Sequence, residues 1–162
     1  LKRGQLLVVL LSGLMSLMLQ AKEGLSSQCH SFTLVDWQLT CPKEVFCFKH
    51  PKTFQTQDVI AIDSLSGTLE EKQWVLQYDV GQYINDYSHV KVINRRRYSV
   101  AAGEGELIIM VDKVAFIIDN ILPSAPLLLE MSHKPLLSGK VKGKGALDIP
   151  LAKCIFSTIT QS

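Results

Sequence analysis

Trp74-Val75-Leu76-Gln77-Tyr78-Asp79-Val80-Gly81-Gln82-Tyr83-Ile84-Asn85-Asp86-Tyr87 is the stretch whose reading decides the fold. Trp74, Leu76, Tyr78 and Val80 alternate with Val75, Gln77, Asp79 and Gly81. A period of two puts the first set on one face of a β-strand and the second on the other. Gly81, with no side chain to pack, marks a bend or bulge at the end of that strand. Beyond it Tyr83, Asn85, Asp86 and Tyr87 combine aromatic anchors with polar neighbours, which is the composition of a recognition surface. The competing reading makes Trp74 and Tyr78 core residues, with Tyr83 and Tyr87 capping the sheet, hydroxyls toward water.

Outward from this strand, the same kind of segment recurs. Leu107–Val111, Val114–Ile118 and Leu127–Met131 are rich in Ile, Val and Leu and read as strands, with Asp112-Lys113 joining the first two as a hairpin. A single buried helix competes for residues 107–122, because periodicity does not separate a short all-apolar helix from strands. Further strands are expected within Ser31–Leu39, at Val45–Phe48, Val59–Ile62, His89–Val92 and Tyr98–Ala101, with His50-Pro51-Lys52 breaking one of them. Lys140 to Lys144 alternates charge with small or apolar residues and suits a guarded edge strand. Asp148 reads as a helix N-cap with Pro150 in the first turn, and Leu151, Cys154, Ile155 and Ile159 follow helical spacing. The expected fold is α+β, a mainly antiparallel β-sheet with one or two short helices, one of them C-terminal; an all-β sandwich or barrel is the alternative.

The first 21 residues read as a secretory signal: Lys2 and Arg3 ahead of an apolar run from Leu6 to Leu19, with Ala21 last before cleavage. Residues 22–28 then form a flexible entry to a domain spanning 29–162. The leader is short for a membrane span, which needs roughly 20 apolar residues, so membrane attachment is expected only through an uncleaved leader. Without Lys2 and Arg3 the formal charge of +2 falls to zero. That balance argues against nucleic-acid binding, which needs a basic excess.

The four cysteines, Cys29, Cys41, Cys47 and Cys154, are an even set in an exported chain, which favours disulfides. The preferred pairing is Cys41–Cys47 with Cys29–Cys154, the second constraining the unfolded chain by about 4–5 kcal/mol; Cys29–Cys41 with Cys47–Cys154 is the alternative. Zinc on these thiols with His30 and His50 fits neither paired-knuckle nor finger spacing, and Asp58, Asp63, Asp79 and Asp86 lack the calcium-loop pattern. No metal or other cofactor is expected.

No nucleophile elbow, metalloprotease helix or phosphate loop occurs in the chain. Ser64, His89 and Asp79 supply the residue types of a triad, but such types occur by chance in any chain of this size. The four histidines read as surface or loop residues. Arg95-Arg96-Arg97 beside Tyr98 offers contacts to an anionic partner, with Arg95 and Arg97 on one strand face and Arg96 on the other; the bland reading is a solvated charge run. The expectation is an exported domain, periplasmic or secreted and non-catalytic, that binds a protein or an envelope component through Tyr83, Tyr87, Asn85, Asp86, Arg95, Arg97 and Tyr98. A small hydrolase is the alternative, and an assembly or structural subunit of an envelope or secretion apparatus a third reading.

Overall fold

Trp74–Val80 forms a strand, and its alternation is the one the sequence predicts: Trp74, Leu76 and Val80 enter the main core and Tyr78 packs against it half-buried, while Gln77 points to solvent. The computed structural model describes residues 29, 31–32, 36–57, 65–135 and 146–162. Within them the strands are β1 (Trp37–Thr40), β2 (Phe46–Pro51), β3 (Gln55–Gln57), β4 (Leu65–Glu70), β5 (Trp74–Val80), β6 (Asn94–Val100), β7 (Gly103–Ile109), β8 (Lys113–Leu122), β9 (Ala125–His133) and β10 (Thr160–Gln161). Among the described residues one α-helix, α1 (Ile149–Ser157), precedes β10, and a 3-10 turn spans Pro42–Glu44. The leader, residues 22–28, the strands expected at 59–62 and 140–144, and Ser64 lie outside the described residues.

The protein is mainly antiparallel β-sheet with a C-terminal helix. Seven strands lie in the order β3-β4-β5-β9-β8-β7-β6, and a second sheet has the order β1-β2-β10; neither closes into a barrel. The smaller sheet and α1 cover one face of the larger one, its inner face. Phe46 and Phe48 of β2 meet the Tyr78 ring at 5.7 and 6.1 Å, and Phe156 of α1 stacks on Phe116 of β8 at 5.9 Å. Burying each such side chain contributes about 1.5–3 kcal/mol. The helix starts where the sequence places it: Asp148 accepts a hydrogen bond from Leu151 N at 3.0 Å, Pro150 occupies the first turn, and Leu151, Ala152, Cys154, Ile155 and Phe156 are buried. The sulfurs pair as Cys29–Cys154 and Cys41–Cys47. The first bond fastens the start of the described chain to the buried side of α1.

Residues 107–122 form two strands, not a helix, with Leu107 opposite Phe116 and Ile109 opposite Val114. The hairpin turn is Val111-Asp112 rather than Asp112-Lys113; Met110 N donates to Lys113 O at 2.9 Å, so Lys113 already belongs to β8. Continuous apolar runs suit these strands because both of their faces are covered. Residues 89–92 are loop, and the next strand starts at Asn94. Pro51 closes β2 opposite Trp37 instead of breaking it at His50. His50 is a core residue, not a surface one: it is fully buried, its Nδ1 donates to Pro51 O at 2.9 Å and its Nε2 accepts from the Thr40 hydroxyl at 2.7 Å. Burial holds its pKa below the usual value, so it stays neutral. Gly105 is required by close packing, since a Cβ there would stand 2.8 Å from Ile117 O and against the Phe116 ring.

Candidate functional site

The loop between β5 and β6 turns back over the outer face of the larger sheet. Two side-chain-to-backbone bonds shape it: Asn85 Oδ1 accepts from Tyr87 N and Asp86 Oδ1 from Ser88 N, both at 2.9 Å. Short polar side chains build such turns and tolerate left-handed backbone nearby; here Tyr87 itself has φ +55°. The Ser88 N–H and hydroxyl also hold the Asp86 carboxyl below its ordinary pKa.

This geometry drives Tyr87 into the sheet. With Ile84 and Val92 it packs on Ile108, Met110, Ala115, Ile117 and Leu128, a second apolar cluster on the outer face of β7, β8 and β9. Tyr87 is 4% exposed, whereas Tyr83, four residues earlier, is 95% exposed. Beneath the loop the Tyr87 hydroxyl donates to Glu130 Oε2. Glu130 Oε1 in turn accepts from Lys113 Nζ at 3.3 Å, and that ammonium lies 5.7 Å from the Tyr87 ring centroid. A buried carboxylate needs such partners, because desolvation penalises an unpaired charge. Arg95 clasps the loop from the side, donating to Tyr87 O at 3.1 Å and to Glu106 at 2.8 Å.

Burial first, then the Glu130 bond, raises the Tyr87 phenol above its ordinary pKa of 10.0. The folded state therefore keeps this proton more tightly than the unfolded chain does. Stability from this group is whole below about pH 10 and falls as pH rises beyond it, by up to about 1.4 kcal/mol per pH unit. Urea unfolding between about pH 9.5 and 11 is expected to show this fall in the native protein and a shallower one in Tyr87→Phe. Burial raises Tyr78 in the same direction, so some slope survives in the variant.

The loop covers the outer face of β7–β9. Over β4 and β5 the outward side chains are polar except Val75: Ser66, Thr68 and Glu70 on β4, Gln77 and Asp79 on β5. The step between the covered and polar halves is a cleft of about 440 Å³, lined by Ser66, Thr68, Gln77 and Asp79, by Lys113, Leu128 and Glu130, and by Tyr83, Asn85 and Tyr87 from the loop. A second hollow of about 440 Å³ shares Thr68 and Gln77 with it and extends toward Gln57, Glu70 and Ser132.

The expected partner surface is thereby divided. Tyr83 and Asn85 line the cleft, and Asp86 is exposed beside it. Tyr87 leaves that surface and anchors the loop. Arg95 is engaged by the loop and Glu106, and Arg97 pairs with Asp119 at 2.8 Å in an exposed ion pair. Tyr98 sits opposite Gly105 and packs against the main core, on the other face from Arg95 and Arg97. Of the triad types, Asp79 lines the cleft and His89 is exposed in the loop. Cys41 and Cys47 are bonded to each other, which removes them as metal thiolates. Glu130, Lys113, Thr68 and Gln77 were not legible as site residues. Glu130 had a signal, a lone carboxylate inside the apolar run Leu127–Met131.

Among the described residues no helix is long and apolar enough to cross a membrane. Compared with known protein families, curated proteins and solved structures, the chain matches none.

Proposed function

We propose that the chain is an exported, non-catalytic binding domain, periplasmic or secreted, which takes a protein or envelope component into the outer-face cleft with Tyr83 as the anchor. The observation that carries this reading is the pairing of Tyr83 with Tyr87. One tyrosine is almost fully exposed at the rim of a polar cleft, and the other buries its ring to hold the same loop. An exposed aromatic on a docked loop loses little conformational freedom on binding, which is how aromatic anchors act at interfaces. The two disulfides fit the oxidising compartment to which the leader would send the chain.

Tyr83→Ala is expected to leave folding unchanged and to weaken capture of envelope material by the immobilised, oxidised domain. A central aromatic anchor is worth about 2 kcal/mol, roughly a thirty-fold loss of affinity. Retention of the same bound species at unchanged affinity by the variant would contradict the reading.

A further inference from the structure

We infer that the ligand of this cleft is a neutral, polyhydroxylated chain, a short uncharged oligosaccharide; the inference rests on the reading of the cleft as the binding surface. The two hollows meet at Thr68 and Gln77, so they form one trough running along β4, β5 and β9, from Ser66, Asp79 and Leu128 to Glu70, Val75 and Ser132, with Gln57 of β3 at its side. Four residue steps along β4, from Ser66 to Glu70, give it a length of about 14 Å, an open track for a chain more than a socket for a compact molecule.

The chemistry of the floor selects the ligand. Gln57, Ser66, Thr68, Gln77, Asn85 and Ser132 contribute amides and hydroxyls. Each of these groups both donates and accepts hydrogen bonds, the requirement for reading hydroxyls that do the same. The charges largely cancel: Lys113 is paired with Glu130, and Glu70 with Lys134. Asp79 adds a further carboxylate, and Lys113, the only cation lining the trough among the described residues, is already committed, so a phosphate or sulfate would meet a field of the wrong sign. An apolar ligand would strip water from the amides and hydroxyls without replacing its hydrogen bonds. A sugar ring has a hydroxyl rim for the floor and an apolar C–H face for an aromatic ring, and Tyr83 stands fully accessible at one end of the trough.

The test is an amide-resolved NMR titration of the oxidised domain with short linear neutral oligosaccharides built from glucose, mannose, galactose, xylose or N-acetylglucosamine, beside a sulfated oligosaccharide. The expected result is saturable shifts confined to Ser66–Glu70, Val75–Asp79, Tyr83–Asn85, Gln57 and Ser132 with at least one neutral sugar, weakened about tenfold in Tyr83→Ala and in Gln77→Ala. If no neutral sugar shifts these residues, the ligand class is overturned; Tyr83-dependent capture of envelope material would then still support the cleft as the binding surface. A neutral sugar bound with unchanged affinity by both variants would overturn the ligand class and the cleft reading together.

Discussion

Replacing Cys29 and Cys154 together with alanine is expected to lower the unfolding free energy by about 5 kcal/mol, against about 2 kcal/mol for the Cys41 and Cys47 pair. The difference follows from what each bond constrains. Cys29–Cys154 closes a loop with a sequence separation of 125, and Cys41–Cys47 one of only 6. In the chain-entropy description the longer closure removes more freedom from the unfolded state. The long bond also holds α1, whose Leu151, Ile155 and Phe156 cover the inner face of the larger sheet. Urea unfolding of the two double variants measures the effect directly. The Cys29/Cys154 variant should also show a steeper dependence on urea, because its unfolded chain expands further. Equal losses in the two variants would mean that the long bond does not brace the fold.

Tyr87→Ala is expected to cost about 3–5 kcal/mol, the usual range for removing a buried aromatic ring. The loss has two parts. The ring vacates the apolar cluster made with Ile108, Met110, Ala115, Ile117 and Leu128, and Glu130 loses the hydroxyl that satisfies one of its oxygens. Tyr87→Phe isolates the second part and should cost about 1–3 kcal/mol. Once the loop is undocked, Tyr83 is no longer held over the cleft. Tyr87→Ala should therefore weaken binding as well, through position and not contact. Thermal and urea unfolding, read beside capture by the same variants, separate it from Tyr83→Ala, which should affect binding alone.

Which parts of this arrangement the residues announce in advance depends on how local their causes are. The alternation of Trp74 to Val80 is a period along one strand, and Asp148 with Pro150 is a capping pattern within one turn; both survive intact in the structure. The polar strand Gln55–Gln57 has no apolar residue to announce it and exists because it pairs with Thr68–Glu70. The turn at Val111-Asp112 has no glycine and leaves Val111 exposed, so nothing local marks it. Tyr98 is expected on the partner surface with Arg95 and Arg97, but the strand alternation puts it on the opposite face with Arg96, against the main core. The cleft was not. Thr68, Gln77 and Glu130 become neighbours only through the register of β4, β5 and β9, a set of pairings between distant segments. Tyr83 and Tyr87 share a loop and a composition. Only the bonds from Asn85 and Asp86 decide which of them turns inward.

The buried contact between Tyr87 and Glu130 docks the loop and so shapes the cleft. A double-mutant cycle with Tyr87→Phe and Glu130→Gln, read on unfolding free energy in urea, measures that contact and little else. The structure predicts a coupling of about 1–3 kcal/mol, as for residues in one hydrogen-bonded network. Strictly additive effects of the two substitutions would contradict it.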